Sequence, residues 1–466
     1  MLFNSYLFLF GFLPPVLVGC WALRQKNLRL AFLTLSSWFF YAWWDWRFLP
    51  LMLSTTMVDY VAALALQHTD DERRRRLLLI GSLSINLSLL GYFKYAGFFV
   101  GSLNGIGRAL GAPVDLPDLH ILLPIGISFY TFNSMSYTID VFRRRVTPTK
   151  HLLEYTTFVA LFPHLIAGPI VRFTDLAEQL RRPRPSLTSK AASVGLFFLA
   201  CGLTKKLLIA DQLNPYVDRL FAHSGDLGFL TSWAAAFGYS LQLYFDFSGY
   251  SDMAVGLAWL IGFRFPQNFN SPFKAQNISD FWRRWHMSLS AWFRDYLFIP
   301  LGGSRRGPAR TTINLVLTMF LAGLWHGAAW TFVVWGLFHG VLLGTHGLLR
   351  KLGLTPSSVF FNRAVTFLFV VAAFVIFRAP DLGTAGTILS SMLGFGGLDH
   401  AGALHTFLPA RFLILLGALL VFVHAAPNTW QIRARPRIVY GLATGTAAAI
   451  AIMTIASPHP FIYFQF

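Results

Sequence analysis

Three stretches of this sequence place ionisable side chains among neighbours that are almost all apolar. The first reads Gly323-Leu324-Trp325-His326-Gly327 and is followed by Trp335 and His339. An imidazole exchanges a proton near neutral pH and needs no counterion when neutral, so His326 could serve as general base on a hydroxyl. The plainer alternative is a neutral histidine bonded to a neighbouring helix. The flanking glycines would let a ligand or another backbone come close. The second stretch runs from Asn277 through Asp280, Trp282, Arg283, Arg284, Trp285 and His286 to Leu297. Helical spacing puts Trp282, Trp285, His286 and Leu289 on one face, with Arg283 and Arg284 beside it. That pattern describes an amphipathic helix at a membrane interface. It equally describes a second imidazole aimed at a site, with arginines for the phosphates of a cytoplasmic donor. The third stretch, Tyr244 to Asp252, carries Asp246 and Asp252. Two carboxylates in an apolar run pair with Lys205 and Lys206, hold a cation, or line a polar tunnel.

These side chains need elements to carry them, and the composition says which. Of 466 residues, 55% are hydrophobic, 16% aromatic and 12% charged. A soluble chain carries about 25% charged residues, so this one cannot coat its own surface and its bulk lies in lipid. There, every backbone polar group must bond within a helix or a closed barrel, and the apolar runs are too long for barrel strands. The expectation is an all-α, multispanning protein of about twelve crossings. The runs lie near 3–23, 30–46, 48–66, 77–100, 121–142, 191–210, 227–262, 312–330, 331–349, 364–378, 411–427 and 438–457. One further apolar stretch, 152–171, has basic loops on both sides and contains Pro163, His164, Gly168 and Pro169. Helix breakers at that density predict a re-entrant segment packed against protein.

Charge orders the crossings. The 38 Lys and Arg outnumber 20 Asp and Glu, for a net charge of +18, and the basic residues cluster at 24–29, 70–76, 143–145, 172–184, 264–310, 350–363 and 433–437. Alternating the loops puts these clusters on the cytoplasmic side, beside anionic headgroups, and both termini outside. The excess charge is thus topology and membrane contact, with no nucleic-acid partner implied. The first apolar run has no basic segment before it and no small-residue cleavage site after it, which reads as a first span. Cys20 and Cys201 both sit in apolar stretches, so a disulfide framework is excluded, and no ligand spacing suggests a metal. Neither an internal repeat nor a linker is visible, so residues 1–466 read as one membrane domain.

Five ordered motifs across residues 120–340 resemble the membrane-bound O-acyltransferase family. The resemblance is to its bacterial branch, which holds the alginate and peptidoglycan O-acetylation subunits and the teichoic acid D-alanyl transferase. The motifs are Leu123 to Phe132, Phe162 to Arg172, Tyr244 to Asp252, Asp280 to Ser288 and Gly323 to Gly327. Asn133 and His164 stand where the family pattern has glutamine. The resemblance implies acyl transfer from a cytoplasmic thioester to a hydroxyl through a central tunnel crossing the protein, with acetyl-CoA or another acyl thioester as donor substrate and no bound cofactor. It makes His326 the catalytic histidine and His286 the second site histidine. Substrate contacts are then expected from Trp325, Trp282, Arg283, Arg284, Trp285, Asp280, Asn268 and Asp246. The aromatic tail within 458–466 resembles an ending in which a tyrosine carries the acyl group, which points to Tyr463; the alternative is an interfacial anchor. The implied setting is the bacterial inner membrane, with a periplasmic acyltransferase as partner and an exported polysaccharide as acceptor. D-alanyl transfer, and a flippase for lipid-linked sugars, are the competing expectations.

Overall fold

The computed structural model is built of helices joined by turns and loops, and no strand forms among the described residues. Those residues are 1–112, 115–182, 188–399, 401–433, 437–455 and 460–462. Among the described residues, five helical stretches are long and apolar enough to cross a membrane: Lys26–Gln67, Glu72–Ala109, Ser189–Ala222, Trp330–Lys351 and Val359–Arg378. Leu7–Ala22, Ala410–Ala425 and Ile438–Met453 are shorter apolar helices. The all-α reading therefore stands, in a multi-pass membrane protein.

The chain divides into two compact units, Met1–Leu196 with Ala254–Pro266 and Phe197–Met253 with Gln267–Phe466. In the first, polar side chains knot the helices from inside. Asp59, fully buried, accepts hydrogen bonds from Ser82 Oγ, from Asn86 Nδ2 at 3.0 Å and from Thr138 Oγ1 at 3.3 Å. A carboxylate placed there costs heavily unless its lone pairs are met, and residues from two other helices meet them. The stretch 152–171 behaves as its breakers predict: Leu152–Ala160 and Phe162–Leu165 are separate short helices, buried throughout except for Leu152 and Leu153 at the entrance. Ser37 Oγ accepts from Phe162 N at 3.1 Å where the helix breaks.

Several expected boundaries move, two of them beside the sequence motifs. The run 121–142 becomes helical only at Ile127, because Pro124 and the left-handed Gly126, φ 78°, turn the chain first. A Cβ on Gly126 would stand 2.8 Å from the Leu165 carbonyl oxygen, so glycine is required on both counts. The run 312–330 is helical from Gly307 to His326.

In the second unit, a long helix, Phe229–Leu260, carries Asp246 and Asp252, and its last turns belong to the first unit. The hairpin of Gly307–His326 and Trp330–Lys351 packs beside Val359–Arg378. Between them, 268–298 forms short helices and turns.

Candidate active site

The hairpin that presents His326 is built on missing side chains. A Cβ on Gly323 would collide with the Phe332 carbonyl oxygen, one on Gly336 with that of Met319, and one on Gly340 would lie 2.7 Å from Val316 Cα. Small residues at this spacing let helices approach backbone to backbone, so the glycines near His326 admit a helix and not a ligand. His326 is the last helical residue, and Gly327, extended beneath the Phe332 ring where a Cβ would clash, turns the chain. The histidine therefore stands at a helix end, four residues before the expected break. It is 4% exposed, and the rings of Trp335, Trp325 and Phe377 lie 5.0, 5.1 and 5.3 Å away, each nearly perpendicular.

The segment around His286 departs most from expectation. In place of one amphipathic helix, Ile278–Trp282 and Met287–Phe293 are separated by a turn in which His286 takes the left-handed conformation, φ 42°. Trp285 and His286 face the interior, at 3% and 0% exposure, so the interfacial-helix reading fails. A left-handed backbone is strained for a residue with a Cβ, and Asn268 holds it in place. Its Oδ1 accepts from Ser288 N at 3.2 Å and Ser288 Oγ at 2.9 Å and stands 3.2 Å from His286 Nδ1. Its Nδ2 donates to Ser251 Oγ at 3.1 Å. With Nδ1 donating to Asn268, the neutral ring carries its basic lone pair on Nε2. The Trp325 ring, next to His326, is 6.1 Å from the His286 ring, so one indole joins the two imidazoles.

Asp280 and Arg284 are spent on the turn itself. Asp280 accepts from Arg284 Nε at 3.0 Å and Gln276 N at 3.2 Å, while Arg284 also donates to the Asn270 carbonyl at 3.3 Å. The Arg283 side chain is 69% exposed and lines a cavity of about 590 Å³ with His346 and Arg350. A second cavity, about 210 Å³, shares Ser279 with it and is walled by Trp282, Met319 and Ala322. Ala322 is one turn before His326 on the same helix. Sequence reasoning missed His346 and Arg350; their i, i+4 spacing at the basic end of a span was the available signal.

The two carboxylates of the long helix are paired. Asp252 meets Lys205 Nζ at 2.6 Å and accepts from Thr429 Oγ1 at 2.7 Å. Lys206 Nζ stands 2.7 Å from Asp246 and 2.9 Å from Asp211. Asp246 also accepts from the Ile462 backbone N–H at 3.0 Å, and Lys206 donates to the Pro460 carbonyl at 3.4 Å. Phe461 packs 4.6 Å from the Tyr250 ring and 5.6 Å from that of Phe247, which itself lies 4.7 Å from His286. Asp246 thus holds the tail segment 460–462, a role that helical spacing alone could not reveal. Tyr463, with 458, 459 and 464–466, lies outside the described residues.

The two N-terminal motifs meet inside the first unit. Asn133 Nδ2 lies 3.1 Å from His164 Nδ1, and both residues are fully buried. The two departures from glutamine are therefore partners of one another. Among the described residues no group of three or more His, Cys, Asp or Glu is arranged to hold a metal ion.

Two buried imidazoles lie on either side of one indole, and the described tail segment 460–462 packs one ring away from His286. The membrane-bound O-acyltransferase (MBOAT) family model matches residues 25–383, and the chain belongs to that family. It is an O-acyltransferase. It is 45% identical over 405 residues to the probable alginate O-acetylase AlgI of Pseudomonas putida, covering 85% of this chain and 81% of that protein. It is 39% identical over 432 residues to the peptidoglycan O-acetyltransferase of Helicobacter pylori, covering 86% and 81%. With the teichoic acid D-alanyltransferase of Bacillus subtilis it shares 30% identity over 315 residues, 64% of this chain and 79% of that one.

Proposed function

We propose that this chain takes an acetyl group from acetyl-CoA at the cytoplasmic face of the bacterial inner membrane. It passes the group outward for O-acetylation of an exported polysaccharide, alginate-like or peptidoglycan, through a periplasmic acyltransferase. Twelve crossings in one membrane domain with both termini periplasmic complete this reading. The observation that carries it is the pairing of His326 and His286 through Trp325, with the tail segment 460–462 packed one ring away from His286. Similarity to the alginate and peptidoglycan acetylases over most of the chain supports acetyl over D-alanyl.

The basic mouth at Arg283, His346 and Arg350 suits the phosphates of CoA, and the smaller cavity leads the thioester arm toward Ala322. His326 withdraws the Tyr463 phenol proton as that oxygen attacks the acetyl carbonyl carbon. The new C–O bond replaces the C–S bond, and His326 returns the proton to the departing CoA thiolate. His286, held by Asn268, orients the donor carbonyl. Burial of both imidazoles keeps water from the thioester. The acetyl ester on Tyr463 then moves to a hydroxyl of the periplasmic partner, and the phenol regains a proton.

The test is release of free CoA from [14C]acetyl-CoA by the purified protein in nanodiscs, with the label followed by peptide mapping. His326-dependent release with label on the peptide containing Tyr463 is the expected result. Full transfer by Tyr463→Phe sinks the carrier role, and failure on every thioester leaves the flippase reading in its place.

A further inference from the structure

From His326 a line of rings continues away from His286. The Trp335 ring is 5.0 Å from His326, the His339 ring 4.8 Å from Trp335, and the Trp282 ring 5.1 Å from His339 and 5.8 Å from Trp335. Trp335 and His339 are four residues apart on Trp330–Lys351 and so share one helix face, and Trp282 ends the short helix Ile278–Trp282. His339 is 0% exposed and Trp335 1%. Among the described residues, neither ring nitrogen of His339 has a hydrogen-bond partner, and neither has the indole Nε1 of Trp282 or of Trp335.

Four polar nitrogens in one buried cluster are costly to leave unmatched. Packing alone would be served as well by phenylalanine or leucine, which carry no such cost. One member of the cluster, Trp282, faces a cavity. Trp282 walls the smaller cavity, which shares Ser279 with the basic one and reaches Ala322. A molecule entering past Arg283 into the smaller cavity therefore meets Trp282, whose ring contacts both His339 and Trp335.

We propose that His339, with the indole N–H groups of Trp282 and Trp335, forms the hydrogen-bonding grip for the amide-bearing arm of a CoA-type thioester. This rests on the donor reading above. The arm of CoA carries two secondary amides, each with one N–H and one carbonyl. Indoles donate only, so they take carbonyl oxygens, whereas a neutral imidazole both donates and accepts and matches an amide on both sides. Phosphates at the mouth, amides at His339 and thioester at His326 divide the donor among three chemically distinct stations. His339 is then the residue that makes the enzyme prefer a pantetheine-type thioester over a simple one.

The experiment compares acetyl-CoA with S-phenyl thioacetate, which has the same acyl group and no amide, on the full chain in nanodiscs. The readout is the ratio of kcat/KM for the two donors. His339→Leu is expected to lower that ratio about tenfold, through a rise in KM for acetyl-CoA, the effect of losing about one good hydrogen bond to a buried group. His339→Gln, which still donates and accepts, should recover most of it, and Trp335→Phe and Trp282→Phe should each lower it by about threefold. These two keep a ring in place, so they carry the test if His339→Leu fails to fold, as judged by its melting temperature. An unchanged ratio in the folded variants overturns the proposal while leaving the donor reading intact. A wild-type protein that turns over other thioesters but not acetyl-CoA overturns both.

Discussion

Two polar clusters lie in the same unit of this protein, and they are finished in opposite ways. Around Lys205 and Lys206, every charge has a counter-charge of the chain itself within 2.6 to 2.9 Å. Around Trp282, Trp335 and His339, buried nitrogens have aromatic walls and no partner among the described residues. A buried charge left unmatched costs several kcal/mol, whereas an unmatched neutral donor costs about 1 to 3 kcal/mol, a penalty that a fold carries where a ligand offsets it. The first cluster holds the chain together and fastens its tail. The second is left for a molecule that comes and goes.

The sharpest test of this division is at His326, beside the open cluster. His326→Ala should cut acetyl-CoA turnover by about 10²- to 10⁴-fold, the range for a lost general base, with little change in melting temperature. A protein that unfolds instead would make the open cluster structural and erase the contrast. The closed cluster should respond the other way. Asp246→Leu leaves Lys206 with Asp211 as its carboxylate and takes the acceptor from the Ile462 N–H, and should destabilise by about 1 to 3 kcal/mol, measured by thermal unfolding in nanodiscs. The double variant Lys206→Met with Asp246→Leu also takes the 2.9 Å cation from Asp211, so it should be less stable still and lose transfer to the periplasmic acceptor, since the Ile462 anchor is gone.

Smaller effects sharpen the boundary between the clusters. Asn268→Ala removes the acceptor for Ser288 and His286 and should lower kcat about tenfold at nearly constant KM, as expected of a lost positioning bond. Asn268→Asp, which keeps the acceptor, should fall less. Arg283→Gln should raise KM for acetyl-CoA no more than about fivefold, because an exposed ion pair is worth about 0 to 1 kcal/mol. That effect should shrink as salt is added.

Much of this was legible in the linear sequence. Low charge and long apolar runs require helices, because lipid leaves the backbone no other partner, and the helices observed follow those runs to within a few residues at most boundaries. His326, His286 and the lysine–aspartate pairs were identifiable as ionisable residues with no reason to be in an apolar run. Residue type and local spacing suffice for that inference, because the penalty for burying such a group is a property of the group.

The tertiary structure alone decided what each polar residue touches. Spacing drew Trp282 to Leu289 as one helix face, and the chain breaks there because Asn268, some 18 residues earlier, pins His286 in a left-handed turn. The glycines beside His326 were open to a ligand or a helix, and the partner helix took them. Asp246 proved to hold a backbone N–H more than 200 residues away. Hydrogen-bond partners distant in sequence leave no periodic trace along the chain, so pairing, and with it the contrast between the closed and the open cluster, exists only once the helices are packed.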